Sequence, residues 1–121
     1  MAGGPDELVK TMRSYIEVIT ALIDGLEAYR AKQVQALDDL RAGMSLMESV
    51  QKRDSATLSR DLAGLVEDFE EVRRSIRGIV SRALRDEGAT LQEIGHVFGV
   101  SAQLASRFLK ESNGAIGEDP A

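Results

Sequence analysis

The chain is predicted to be all-α: a long amphipathic helical hairpin, coiled-coil-like and dimerising, followed by a C-terminal helix-turn-helix. Three observations predict this. Apolar residues recur in alternating steps of four and three along two long stretches, which is a helical and not a strand period. Aromatics are only 4% with no Trp, while Leu, Ala, Glu, Arg, Val and Asp abound, a composition suited to helices. Residues 90–110, TLQEIGHVFGVSAQLASRFLK, carry the caps, turn glycine and apolar spacing of two short helices joined by a tight turn.

Residues 1–5, MAGGP, have no periodicity and are expected to be flexible. Asp6 or Pro5 opens a helix of about 6–42. Along it Leu8, Met12, Tyr15, Ile19, Leu22 and Leu26, then Tyr29, Gln33, Ala36 and Leu40, keep a coiled-coil register. A second row, Val9, Ile16, Ile23, Leu37 and Met44, runs beside the first, so the apolar face is wider than one neighbour needs. Gly25 costs up to about 1 kcal/mol inside a helix, which fits a close approach there.

Gly43 is read as the stop, and Ser45 with Glu48 forms an S-x-x-E capping box that opens a helix of about 46–52. One uninterrupted helix through 43–54 is the alternative. Asp54 or Ser55 caps the next helix, about 55–87, in which Leu58, Leu62, Leu65, Phe69, Val72, Ile76, Ile79 and Ala83 repeat the alternation, with Gly88 as its stop. Two such stripes outrun what one hairpin covers, so residues 6–87 are read as a homodimerisation region.

Residues 88–111 are the expected helix-turn-helix. Thr90 and Glu93 make a T-x-x-E box, so the first short helix starts at Leu91. Gly99 suits the positive φ of a helix end, and Ser101 is a good N-cap for the second helix. Leu91, Ile94 and Phe98 line one side, Val100 plugs the turn, and Leu104 or Ala105 with Phe108 and Leu109 faces inward; Gly95 stands where a side chain would hold the helices apart. That leaves Ser101, Ala102, Gln103, Ser106, Arg107 and Lys110 pointing outward, short polar groups and a guanidinium of the kind that fits a major groove. Residues 112–121 read as a flexible acidic tail.

EIG, three residues, then GVS resembles the helix-turn-helix of bacterial sigma factor region 4 and of small actinobacterial regulators that carry a sigma-like unit. The resemblance spans residues 82–111. It implies double-stranded DNA as partner. Where region 4 usually has a basic residue just after the recognition-helix cap, this chain has Ala102, and no other sigma region is present.

The net charge of −5 is unevenly spread. Residues 1–72 hold 8 Lys/Arg against 14 Asp/Glu, and residues 73–111 hold 7 against 4, so the segment with the motif is basic. For DNA the local field near the phosphates counts most. Thr90, Lys110, Arg73, Arg74, Arg77, Arg82 and Arg85 are therefore the candidate phosphate contacts, and Ser101, Ala102, Gln103, Ser106 and Arg107 the candidate base contacts. The plainer reading of the arginines is a solvated face with weak helix pairs, worth about 0.2–0.5 kcal/mol each.

Other chemistry is not expected. There is no cysteine, so no disulfide framework or thiolate metal site. His96 is the single histidine and reads as a surface group. No phosphate-cradling glycine motif or nucleophile with a base is found, so neither an enzyme nor a cofactor is expected. The acids Asp38, Asp39, Glu67, Asp68, Glu70 and Glu71 read as helix exterior, and Met44 and Met47 as core packing. No apolar run reaches membrane-span length and none follows MAGGPDE, so a cytoplasmic, nucleoid-associated protein is expected. Two functions fit: a dimeric sequence-specific DNA-binding regulator, or a coiled-coil adaptor for RNA polymerase, a sigma factor or another regulator.

Overall fold

The computed structural model describes the backbone of residues 5–117 and the side chains of residues 6–111. Among the described residues there is no strand; the chain is five helices, α1 Pro5–Arg41, α2 Leu46–Lys52, α3 Ser55–Asp86, α4 Leu91–Phe98 and α5 Ala102–Gly117. It divides into two compact units, Ile16–Glu70, and Met1–Tyr15 with Glu71–Ala121.

In the unit of residues 16–70, α1 and α3 are joined through α2 and meet at Gly25, where an added Cβ would run into the Leu65 side chain. The glycine therefore serves the close approach read from the sequence. The helix does break after Arg41: Gly43 sits at φ 103° and the Met44 amide donates to the Asp39 carbonyl at 2.9 Å. The uninterrupted alternative is thereby set aside. Ser45 then caps α2 with the expected box, its hydroxyl accepting from the Glu48 amide at 3.2 Å while its own amide donates to the Glu48 carboxylate at 3.3 Å. Lys52 reaches back to Asp39 at 3.0 Å, tying the end of α2 to α1. That hydrogen bond, joined by one from Gln35, holds the Asp39 carboxyl below its usual value. Asp54 precedes α3 at φ 50°, a conformation Asp tolerates better than most residues. Ala36 is the one buried apolar side chain this unit has among the described residues.

The other unit has the denser packing. From Ile76 to Leu84 no residue of α3 is exposed, and Gly78 and Ser81 are buried outright. The sequence stripe predicts one buried row here. The structure instead leaves Ile76, Ile79 and Ala83 of that row partly covered, and the two fully buried residues, Gly78 and Ser81, are small ones off the row. Gly88 takes φ 100°, and the Ala89 amide donates to the Leu84 carbonyl at 3.0 Å, ending α3 one residue before the expected 87.

The expected boundary at 111 falls inside α5, which runs on to Gly117. No proline interrupts residues 112–117, and the serine, asparagine and glycine there lower helix propensity without removing an obligatory backbone bond. Residues 118–121, the rest of the expected tail, and residues 1–4 of the expected flexible start lie outside the described residues; Pro5 begins α1.

Candidate nucleic-acid interface

Both ends of α4 are fixed by local chemistry. Thr90 is the N-cap, its hydroxyl accepting from the Glu93 amide at 3.1 Å and its amide donating to the Glu93 carboxylate at 2.8 Å. At the other end Gly99 adopts φ 70°, ψ 33°, and the Val100 amide donates to the Gly95 carbonyl at 2.8 Å. This left-handed residue satisfies carbonyls that a helix end otherwise strands. Ser101 caps α5, its hydroxyl accepting from the Leu104 amide at 3.1 Å. Gly95 stands at a close approach, as the spacing suggests: a Cβ there would lie 2.6 Å from the Val100 carbonyl oxygen and 3.0 Å from that of Ser101, so it would push the turn and the start of α5 away from α4.

Beneath the turn Ile94 and Ala105 are fully buried and Phe108 nearly so. Ala105 thus takes the inner place left open between it and Leu104, which is half-buried. The Phe98 ring meets Phe108 edge-on, centroids 5.6 Å apart. The Arg77 guanidinium covers the other ring face at 4.1 Å from the centroid and pairs with Glu111 at 3.2 Å. One ring therefore meets α4 through Phe98 and α3 through Arg77.

That contact changes the standing of one predicted phosphate ligand. Arg77 is 18% exposed and its charge is spent on Phe108 and Glu111, so it holds α5 in place instead of facing a ligand. Arg85 is exposed, and it donates to the Ala89 carbonyl at 3.0 Å across the α3–α4 link. Arg82 is half-buried with its Nε sealed from solvent and unpaired. Arg73 is exposed with an interaction inside the chain, and Arg74 and Lys110 are exposed. Thr90 is exposed, with its hydroxyl oxygen already accepting from Glu93.

The candidate base contacts fall together on α5. Ser101, Ala102, Gln103 and Arg107 are exposed and Ser106 is half-buried; Gln103 and Arg107 lie on the side of α5 opposite Ala105 and Phe108, while Ser101 is the N-cap just before the helix. His96 is on the outer side of α4 beside Gln92, Glu93 and Val97. Among the described residues no group of three or more His, Cys, Asp or Glu is placed to hold a metal ion, and no helix is long and apolar enough to cross a membrane. No family model, curated protein or solved structure matches the chain.

Proposed function

We propose that α4 and α5 form a helix-turn-helix and that the chain is a sequence-specific DNA-binding protein, a dimeric regulator of transcription that lays α5 in the major groove. The observation that carries this reading is the division of α5 into two faces. Ala105 and Phe108 are buried, while Gln103 and Arg107 are exposed one turn apart on the opposite side, with Ala102 exposed in the first turn and Ser101 at the N-cap. A helix so divided suits the width of the groove and its donor and acceptor pattern. Arg107 is the candidate for a bidentate guanine contact and Gln103 for adenine, with Ser106 beside them. Lys110 and Arg74 are the exposed candidates for phosphates, with Arg73, Arg85 and Thr90 beside them engaged within the chain as well; Arg77 and the half-buried Arg82 are better read as structural. The basic balance of residues 73–111 and the likeness to sigma region 4 support the same reading, under which the protein is no enzyme, needs no cofactor and associates with the nucleoid.

Selection of bound duplexes from a random pool, followed by fluorescence-polarisation titration at two salt concentrations, tests it. Arg107→Ala is expected to cost about 1–3 kcal/mol at one base position and relax its specificity, whereas Arg74→Ala weakens all sequences alike and lowers the salt slope by about one. Binding no tighter than about 10⁻⁴ M to every duplex at physiological salt rejects the proposal. In that event the adaptor reading takes its place, favoured by the exposed apolar side chains along α1.

A further inference from the structure

Within residues 16–70 the hairpin buries little of its own apolar surface. Ile16 is 60% exposed, Ile23 50% and Leu37 47%, with Leu26, Val34 and Leu40 similarly open on α1 and Val66 on α3. Ile16, Ile23 and Leu37 each follow by one residue a member of the inward row, Tyr15, Leu22 and Ala36. On α3 the residues one step past the inward row are smaller in its first half, Ser59 and Ala63 following Leu58 and Leu62, then Val66 after Leu65 and the charged Glu70 after Phe69. They line an open groove of about 790 Å³ together with Gly64 of α3 and Tyr29 of α1.

One step along a helix turns about 100° in a fixed hand. Because α1 and α3 are antiparallel, those two rotations bring both rows to the same side of the pair. This side therefore carries a ridge of large aliphatic side chains next to a trough of small ones. We infer that it is a self-complementary interface on which a second copy of this chain packs, the ridge of α1 entering the partner's trough on α3 and the reverse, to close a four-helix bundle.

Area and charge both favour a second copy. The seven open aliphatic side chains leave on the order of 600 Å² of apolar surface, at the top of the roughly 300–600 Å² that the largest patch of a monomer reaches. A standard interface takes roughly 800 Å² from each partner, and in homodimers about 65% of it is apolar, or about 520 Å². The ridge is interrupted by Glu27 and Arg30, and the trough is flanked by Arg60 and Glu67, so each charge has an opposite available on a copy. The pairing is isologous, as closed two-fold assembly requires. It does not depend on what α5 binds.

Sedimentation equilibrium of the full chain is expected to give a dimer, and Ile23→Glu on the ridge and Ala63→Arg in the trough are each expected to raise its dissociation constant about tenfold or more. Ala63 is exposed, so the longer side chain does not disturb the hairpin's own packing. As a readout that survives any loss of folding in the variants, single cysteines at Ile23 or Ala63 in the otherwise unchanged chain should react with a maleimide more slowly than one at Ala28, which is exposed on the far side of α1. A monomer at tens of micromolar, a dimer indifferent to Ala63→Arg, or equal labelling at positions 23, 28 and 63 overturns the inference. None of these measurements includes nucleic acid, so such a result would leave the reading of α5 standing.

Discussion

Replacing Arg77 with methionine keeps the apolar stem of the side chain and removes its charge. Two interactions go with it. The guanidinium over Phe108, on a side chain only 18% exposed, is worth between the roughly 0.5 kcal/mol of an open cation–π contact and the 2 kcal/mol of a desolvated one. The pair with Glu111 adds up to about 1 kcal/mol, and less in practice because Glu111 is 56% exposed and solvent screens it. The expected loss is therefore about 1–3 kcal/mol, a fall of roughly 5- to 150-fold in the folded-to-unfolded ratio. Urea unfolding followed by circular dichroism reads it as a midpoint lowered by about 1 M, given slopes of about 1–3 kcal/mol per molar for small domains. Arg74→Met on the exposed neighbour is expected to move the midpoint hardly at all. Most of the Arg77 effect should persist in high salt, since the ring contact lies away from solvent. If the two variants shift the midpoint equally, or if salt abolishes the difference, Arg77 is a surface charge and its assignment to holding α5 is wrong.

Glycine substitutions give a second test. Gly95→Ala forces the turn backbone to yield, since the nearest atoms are the carbonyl oxygens of Val100 at 2.6 Å and Ser101 at 3.0 Å. Overpacking of that kind costs about 1–3 kcal/mol, offset by up to 1 kcal/mol of helix propensity, so thermal melting should show net destabilisation. Gly64→Ala meets nothing within 4 Å inside the chain and should stabilise α3 by about 0.5–1 kcal/mol; the opposite signs are the check. A third concerns Asp39. Its carboxyl is held low chiefly by the hydrogen bond from Lys52, so the stability it contributes is present above the ordinary carboxylate value and is lost as pH falls through the lower folded one. Lys52→Ala should raise the Asp39 value measured by carboxyl NMR and remove that acid-side slope; an unchanged titration would show that the pair forms too rarely to matter.

The elements that local chemistry defines were legible in the sequence. Both capping boxes, Ser45 with Glu48 and Thr90 with Glu93, form as the four-residue patterns predict, because a cap is completed within one turn. The stops at Gly43, Gly88 and Gly99 all take positive φ for the same reason. The outward row of α5 was also legible, since helical period alone separates Gln103 and Arg107 from Ala105 and Phe108. Arg77 was not. Its role depends on Phe108 and Glu111, more than thirty positions away, and nothing in the run of arginines marks the one that meets a ring. Gly78 and Ser81 escaped for a related reason: a small residue off the apolar row is neutral in pattern and becomes informative only once a second neighbour covers it. The far end of α5 was misjudged because weak helix formers lower propensity without supplying a stop.

The two short helices begin with opposite electrical character. The first turn of α4 contains Glu93, whose carboxylate already occupies the amide of Thr90, whereas the first turn of α5 contains no acid. Positive potential at a helix start is cancelled by a resident anion and persists where there is none. Under the proposed DNA-binding reading, a phosphate would therefore meet a neutralised helix start at α4 and an open one at α5, beside Ser101.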